Sequence, residues 1–185
     1  AAMGMLILLA IIVILAIVLI GIYNRLVALR QNCRQGLGDI DAQLRQRHDL
    51  VPNLVETVKG YAAHEQETFS QVIAARNSAG GTATPEAEAA LGKAIGNLLA
   101  LGEAYPDLKA SANFQALQGE LADIEDKLAA ARRALNAATA RYNAARESFP
   151  AVLFAGALGF QQADFHALTA EERPVMGSAP QVRFQ

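Results

Sequence analysis

The first 23 residues contain no charged side chain and consist almost entirely of Leu, Ile, Val, Ala and Met. At a rise of 1.5 Å per residue, a helix of roughly 20 such residues crosses the ~30 Å hydrocarbon layer of a bilayer. A cleaved signal peptide would need a basic start and a small-residue cleavage site. No Lys or Arg precedes this run, which ends in Ile-Gly-Ile-Tyr-Asn. The sequence therefore predicts a transmembrane anchor at residues 1–24 and a lipid bilayer as partner.

Basic residues follow the apolar run closely, at Arg25, Arg30 and Arg34. The positive-inside rule then predicts a single-pass protein whose C-terminal domain is cytoplasmic. The run itself has no ionisable residue, so it offers no ion path or proton relay.

The amino-acid composition favours one fold class and excludes several functions. Hydrophobic residues make up 52% of the chain, but aromatic residues only 6%, with no Trp. Such an Ala- and Leu-rich chain favours helices over sheets. The net charge of -2 gives no basic face for nucleic acid. A single cysteine, Cys33, excludes an internal disulfide framework and any cysteine-based zinc site.

Apolar residues recur at helical spacing directly after the anchor, at Leu26, Leu29, Cys33, Leu37, Ile40 and Leu44. This pattern predicts that the transmembrane helix continues into the soluble domain. Gly36 and Gly38 interrupt it, either as a close helix contact or as a soft place. Around Arg47–Pro52 a tight turn is favoured, with a kinked continuous helix as the alternative. The second helix would then bury Val51, Leu54, Val58, Tyr61, Phe69 and Val72.

Two further helices follow. A loop is predicted at Ser78–Pro85, and Thr84-Pro85-Glu86 is a typical start of the third helix, which stops at Tyr105-Pro106. The fourth ends before Pro150 and has a 3.5-residue repeat: Phe114, Leu117, Leu121, Ile124, Leu128, Ala131, Leu135, Ala138, Tyr142, Ala145 and Phe149. The predicted fold is all-α, an N-terminal transmembrane helix continuing into an antiparallel four-helix bundle (25–149) with long, coiled-coil-like helices.

Residues 150–185 form a predicted C-terminal tail that begins apolar and becomes irregular. In an antiparallel bundle of four helices, the fourth helix returns toward the bilayer. The tail is then expected either to enter the membrane interface or to fold back over the bundle. If the first helix instead runs unbroken through Pro52, the count of helix directions changes and the tail is expected to point away from lipid.

No residue pattern predicts a catalytic, cofactor-binding or metal site. His64-Glu65 begins like an HExxH zinc helix, but Thr68 stands where the second histidine would be. No Gly-rich phosphate loop or GxSxG motif is present. Polar residues near one predicted bundle end form a candidate partner-binding set instead: Arg47, His48, Asp49, Asn53, Glu56, His64 and Glu65.

Long segments of the chain resemble the LemA family. They are YNRLVALR at 23–30, DIDAQLRQRHDLVPNLVETVKGYAAHEQETF at 39–69, AAR at 74–76, SANFQALQGEL at 111–121, ARRALNAATARYNAARESFP at 131–150, and Gly159-Phe160. The resemblance covers roughly Tyr23 to Phe165. It differs at Gly36-Leu37-Gly38, where members commonly carry a Trp-containing segment, and at Phe165-His166, where many have paired aromatic residues.

The resemblance implies one N-terminal membrane helix, a four-helix bundle and a location in the bacterial cytoplasmic (inner) membrane, without an implied activity. Together with the absence of catalytic patterns, it predicts a non-enzymatic membrane-anchored scaffold that forms homo-oligomers or binds other envelope proteins. Some family members resemble components encoded near membrane-bound proteases. The alternative function is therefore an adaptor or regulator of a membrane-bound protease.

Overall fold

The computed structural model describes residues 2–81 and 84–164, and every regular element in these ranges is helical. The helices are α1 (Ala2–Lys59), α2 (Gln66–Gly81), α3 (Pro85–Ala104), α4 (Pro106–Lys109) and α5 (Ala112–Glu147), followed by a 3₁₀ turn at Ala151–Leu153. The predicted all-α class is confirmed for the described ranges. The irregular end predicted for the tail, including Phe165-His166, lies outside the described residues.

Helix α1 runs without a break through Pro52, so the predicted turn at Arg47–Pro52 is wrong and its alternative, a continuous helix, is correct. Proline has no N–H, and the carbonyl oxygen four residues earlier, that of His48, therefore loses its helical donor. Arg76 of α2 supplies another donor, since its Nε lies 3.1 Å from the His48 carbonyl oxygen. A side chain from a different helix thus satisfies the backbone group that Pro52 leaves open.

The chain turns after Lys59 instead. Tyr61 and Ala62 both donate their backbone N–H to the carbonyl oxygen of Val58, at 3.0 and 2.9 Å. The predicted second helix is therefore divided between the end of α1 and the start of α2. Because the turn lies at residues 60–65 instead of at Pro52, the described residues still form four long helices, α1, α2, α3 and α5, and an unbroken α1 does not by itself change the count of helix directions. Ala62 is buried in this turn, whereas Tyr61, which was expected to point inward, is 46% exposed.

The predicted start of the third helix is confirmed. Thr84 has extended backbone geometry and its Oγ1 accepts the N–H of Ala87 at 3.2 Å, with Pro85 in the first helical turn. This is N-capping by a threonine side chain. The preceding loop is shorter than predicted because α2 extends to Gly81; residues 82 and 83 lie outside the described residues. Helix α3 ends at Ala104, just before Tyr105-Pro106 as predicted.

Helix α5 follows the predicted heptad repeat. Its buried residues include Phe114, Leu121, Ile124, Leu128, Leu135 and Tyr142. The last predicted position, Phe149, departs from the pattern because α5 ends at Glu147; Phe149 is 80% exposed. A heptad position has no fixed direction once the helix has ended.

The chain forms two compact units. The core unit is Ile40–Ala130, and the described part of the span unit comprises residues 2–39 and 131–164. Side chains of α1 to α5 share one apolar cluster in the core unit, which includes Val51, Leu54, Val58, Phe69, Val72, Leu91, Leu98, Leu108, Phe114 and Leu121. Burying one such side chain stabilises the fold by about 1.5–3 kcal/mol, so this cluster is the main source of stability of the core unit.

In the span unit, the N-terminal part of α1 is long and apolar enough to cross a membrane, judged by length and composition. Its large apolar side chains between Met3 and Val18 are exposed in the protein itself. An exposed apolar surface of this size is stable in contact with lipid rather than with water.

The two glycines of α1 have different surroundings in the span unit. A Cβ atom on Gly36 would lie 3.2–3.3 Å from three atoms of Leu135 on α5, whereas nothing lies within 4 Å of one on Gly38. Gly36 therefore marks a close helix contact and Gly38 does not. The contact places Gly36 on the buried face, and Leu37, expected in the apolar stripe, is 46% exposed.

Candidate functional site

A buried ion-pair network occupies the core unit around Arg47, which is only 3% exposed. Its Nη2 pairs with the buried carboxylate of Glu88 on α3 and also donates to the Glu88 carbonyl oxygen at 3.2 Å. Its Nη1 donates to Oε1 of Glu125 on α5 at 2.7 Å. A buried charge is costly unless it is paired and hydrogen-bonded. Arg47 meets both conditions through Nη1 and Nη2, while its buried Nε has no hydrogen-bond partner among the described residues, and it connects three helices.

His48 extends this network to a fourth helix. Its Nε2 lies 3.1 Å from Oε1 of Glu88, and its carbonyl oxygen accepts the bond from Arg76 of α2. Two adjacent residues of α1 thus contact the same carboxylate. We call Arg47, His48, Arg76, Glu88 and Glu125 the Arg47 network.

Sequence reasoning found Arg47 and His48 but missed the three side chains that they contact. A signal was present for Glu88, because it lies three residues before Leu91 and seven before Ile95. Those two residues and Leu98 form the buried face of α3. A carboxylate in register with a buried apolar stripe indicates an internal partner of opposite charge. No comparable signal distinguishes Glu125 or Arg76 from solvent-exposed charges.

Asn53 and Glu56, two other predicted partner-binding residues, line a groove of about 450 Å³ in the core unit. The remaining lining residues are Thr57 of α1 and Asn113, Ala116, Leu117 and Glu120 of α5. We call it the α1–α5 groove. Its ionisable lining groups are both carboxylates, and Glu56 is 76% exposed with Lys59 Nζ at 3.4 Å. The groove therefore presents amides and negative charge to solvent.

Of the remaining predicted residues, Asp49 and His64 are exposed. Glu65 accepts a hydrogen bond from the Tyr105 hydroxyl at 2.9 Å. This bond raises the pKa of Tyr105, with smaller contributions from burial and from the charge of Glu65. The seven residues thus do not form one patch, and Arg47 lies inside the unit rather than on its surface. Their role in partner binding stays a prediction.

Side chains near the end of α5 hold residues 160–163 in the span unit. The Tyr142 hydroxyl donates to the Gln161 carbonyl oxygen at 2.8 Å. Asn143 donates from Nδ2 to the Ala163 carbonyl oxygen at 2.8 Å and accepts the Ala163 N–H at Oδ1 at 3.0 Å. Opposite residues of two antiparallel β-strands exchange the same pair of hydrogen bonds, one donated and one accepted. The bonds from Tyr142 and Asn143 dock residues 161–163 on α5.

Phe160 completes this docking. Its ring is 1% exposed and meets the Tyr23 ring edge-on, with centroids 5.5 Å apart. The Arg30 guanidinium lies 4.9 Å from the centre of the Phe160 ring, and Arg146 donates to the Phe160 carbonyl oxygen at 3.0 Å. Aromatic and cation–π contacts add to the apolar burial of the ring. The RYNAAR and Gly-Phe segments of the sequence therefore contact each other.

Within residues 2–81 and 84–164, no group of three or more His, Cys, Asp or Glu side chains is placed to hold a metal ion. The predictions that the protein has no metal, no cofactor and no catalytic residue stay predictions. The polar groups brought together in the described ranges are engaged mainly with one another.

These features define an all-helical protein with one N-terminal helix suited to anchoring in a membrane. The chain belongs to the LemA family, whose model matches residues 36–184. The resemblance read from the sequence is thereby confirmed.

The chain is also similar to named magnetosome proteins from two organisms, Magnetospirillum gryphiswaldense and Paramagnetospirillum magneticum. The chain is similar to the magnetosome protein MamQ of Magnetospirillum gryphiswaldense, with 25% identity over 191 residues that cover 86% of this chain and 70% of that protein. It is also similar to the magnetosome proteins MamQ 1 and MamQ 2 of Paramagnetospirillum magneticum. Each is 24% identical over 188 residues, covering 85% of this chain and 67% of the relative.

Proposed function

We propose that this LemA-family protein is a non-enzymatic, membrane-anchored scaffold that assembles with itself or with other envelope proteins. The observation that carries the proposal is the Arg47 network. The most deeply buried charged side chains of the core unit, Arg47 and Glu88, neutralise each other and connect helices. An active site instead holds charged groups available to a substrate. In the core unit the buried charges stabilise the packing of the helices, and we therefore assign partner binding to the exposed surface.

The proposed architecture is an antiparallel four-helix bundle in residues 25–149, continuous with the anchor at residues 1–24. Two observations support it. Helix α1 includes both the apolar run and residues of the core cluster, and α1, α2, α3 and α5 all contribute to that cluster. The short connections between successive helices are typical of antiparallel neighbours.

The proposed location is the bacterial cytoplasmic membrane, with the domain after residue 24 in the cytoplasm. Arg25, Arg30 and Arg34 at the end of the apolar run support this orientation. Protease treatment of spheroplasts tests it. The domain should be protected until the membrane is permeabilised, and digestion in intact spheroplasts would reverse the orientation.

The α1–α5 groove is the proposed partner-binding surface. It contains Asn53 and Glu56 from the predicted set, and its carboxylates and amides suit a basic or hydrogen-bonding segment. A photo-crosslinking residue at Glu56, compared with one at Glu103 on α3, tests the proposal in native membranes. The two carboxylates are matched controls, being 76% and 78% exposed, and only Glu56 lines the groove.

We expect crosslinks from position 56 to a second copy of the chain or to an envelope protein, and few from position 103. Equal yields at both positions would remove the groove from the proposal. A membrane-bound protease as the dominant crosslinked protein would instead favour the alternative function, an adaptor for that enzyme.

A further inference from the structure

In the segment just after α5, some apolar side chains are buried and others are exposed to solvent. Phe160 and the small residues Ala151 and Ala155 are buried. Phe149 is 80% exposed and Leu153 63% exposed, and Val152 and Leu158 are also exposed. We call Phe149, Val152, Leu153 and Leu158 the apolar rim. The segment thus neither folds back completely over the helices nor detaches from them.

The apolar rim begins beside the place where the apolar run of α1 ends. Phe149 and Pro150 line a small cavity of about 80 Å³ together with Ile22 and Arg25 of α1. Ile22 belongs to the uncharged run, and Arg25 is the first charged residue after it. In a membrane-spanning helix, this change from apolar to charged residues lies at the boundary between hydrocarbon and headgroups. The rim therefore lies at the same depth as that boundary.

The contacts of Phe160 hold the rim segment beside α1. Phe160 is held by Tyr23 and Arg30 of α1, and its carbonyl oxygen accepts a bond from Arg146. Residues 148–160 are thus attached at both ends, at α5 and at Phe160, and the rim side chains between these attachments are exposed. Tyr23 is itself 44% exposed at this level, and tyrosine is enriched at membrane interfaces.

The charge of the span unit matches an anionic membrane surface. Its described residues include three carboxylates, Asp39, Glu147 and Asp164, and seven arginines: Arg25, Arg30, Arg34, Arg132, Arg133, Arg141 and Arg146. The core unit has the opposite balance, with 13 acidic and seven basic residues in 40–130. Basic groups next to an apolar surface are the combination that binds the headgroup region of anionic bilayers.

We propose that the apolar rim is a second membrane contact, which inserts into the interface of an anionic bilayer beside the α1 span. The inference depends on the proposed anchoring, because the depth of the rim is set by α1. The bilayer would cover the exposed Phe149 ring and the aliphatic chains of residues 152–158, and Arg25 beside them would face lipid phosphates. The protein would then be held by one span and one interfacial loop.

The absence of tryptophan makes the test direct. Single Trp residues are introduced into the full chain at the rim, as Phe149→Trp and Leu153→Trp. Ile12→Trp, within the apolar run, is the positive control, and Ile73→Trp is the negative control, since Ile73 is an apolar residue of the core unit that is 44% exposed. Each variant is reconstituted into vesicles of phosphatidylcholine and phosphatidylglycerol, with circular dichroism as the check on folding. Quenching is measured with brominated lipid and with water-soluble acrylamide.

We expect both rim variants to be quenched by brominated lipid and to emit at shorter wavelength than Ile73→Trp, which acrylamide alone should quench. If Ile12→Trp is quenched by lipid but both rim variants behave like Ile73→Trp, the interfacial contact is wrong and the anchor stands. If Ile12→Trp is not quenched by lipid, the anchor is wrong and the rim proposal fails with it.

Discussion

Arg76 on α2 donates its Nε–H to the backbone carbonyl oxygen of His48 on α1, across 3.1 Å. The N–H that would normally occupy this oxygen belongs to position 52, which is proline. The bond therefore links the continuity of α1 to a side chain 28 residues further along the chain.

This relationship predicts that the effects of Arg76→Ala and Pro52→Ala on stability are coupled. Arg76→Ala alone leaves a partly buried carbonyl without a donor and should cost about 1–3 kcal/mol. In a Pro52→Ala background the restored N–H fills that position, so the same change should cost less. Chemical unfolding in mild detergent, followed by circular dichroism, measures the double-mutant cycle. An equal cost in both backgrounds would contradict this account of Pro52.

The Arg47–Glu88 ion pair gives a second prediction. Arg47→Met leaves the buried Glu88 carboxylate without its strongest partner and should lower the free energy of unfolding by about 3–5 kcal/mol. The double variant Arg47→Met/Glu88→Met should recover most of that loss, because no unpaired buried charge remains.

A matched control for this pair is available on the surface of α5. Lys127 Nζ lies 2.6 Å from Asp123 Oδ2, with both side chains more than half exposed. Lys127→Met should change the stability by about 0–1 kcal/mol. If Arg47→Met were as mild as this control, Arg47 would have no structural role, and the argument against an active site would lose its basis.

The two glycines of α1 provide a third prediction. Gly38→Ala should stabilise the helix by up to about 1 kcal/mol, because alanine has the higher helix propensity and the added methyl group meets nothing. Gly36→Ala gains the same propensity but places its methyl group against the backbone and side chain of Leu135. Overpacking of this kind costs about 1–3 kcal/mol. Thermal unfolding of the two variants should therefore shift in opposite directions, and parallel shifts would exclude the close contact.

A fourth prediction concerns the Tyr105–Glu65 hydrogen bond. Because the pKa of Tyr105 is raised in the folded protein, folding favours the protonated phenol. The resulting stabilisation is complete below the unfolded value of about 10 and is lost as pH rises through the folded pKa. The phenolate absorbance of the wild type minus that of Tyr105→Phe gives the titration of this residue. In a Glu65→Ala background the same difference should titrate at lower pH; an unchanged curve would show that Glu65 does not set the pKa.

Features encoded by neighbouring residues could be predicted from the sequence. Thr84-Pro85 contains its own N-cap, and the repeat from Phe114 to Tyr142 requires only that α5 be a helix. The long-range contacts could not be predicted in this way. Pro52 is a helix breaker in most contexts, and here Arg76, 24 residues further along the chain, supplies a donor to the carbonyl oxygen that the proline leaves open.

The candidate site shows the same limit. Arg47 and Glu56 are both charged residues of α1 in a polar stretch, yet one is buried and the other lies in a solvent-exposed groove. The difference arises from Glu88 and Glu125 on other helices. Gly36 and Gly38 are likewise distinguished only by the position of Leu135. Sequence patterns predicted which residues were unusual, but their surroundings depend on tertiary packing.

A membrane-anchored scaffold must assemble with itself or with other proteins, so the assembly state of this LemA-family protein in detergent decides whether the proposed function holds. The mass of the 185-residue chain is measured by light scattering in mild detergent at several concentrations, with the detergent contribution subtracted. A scaffold should have the mass of two or more 19.6 kDa chains, or should form a stable complex with a co-purifying envelope protein. A mass of one chain at every concentration, with no co-purifying protein, would contradict the proposed function.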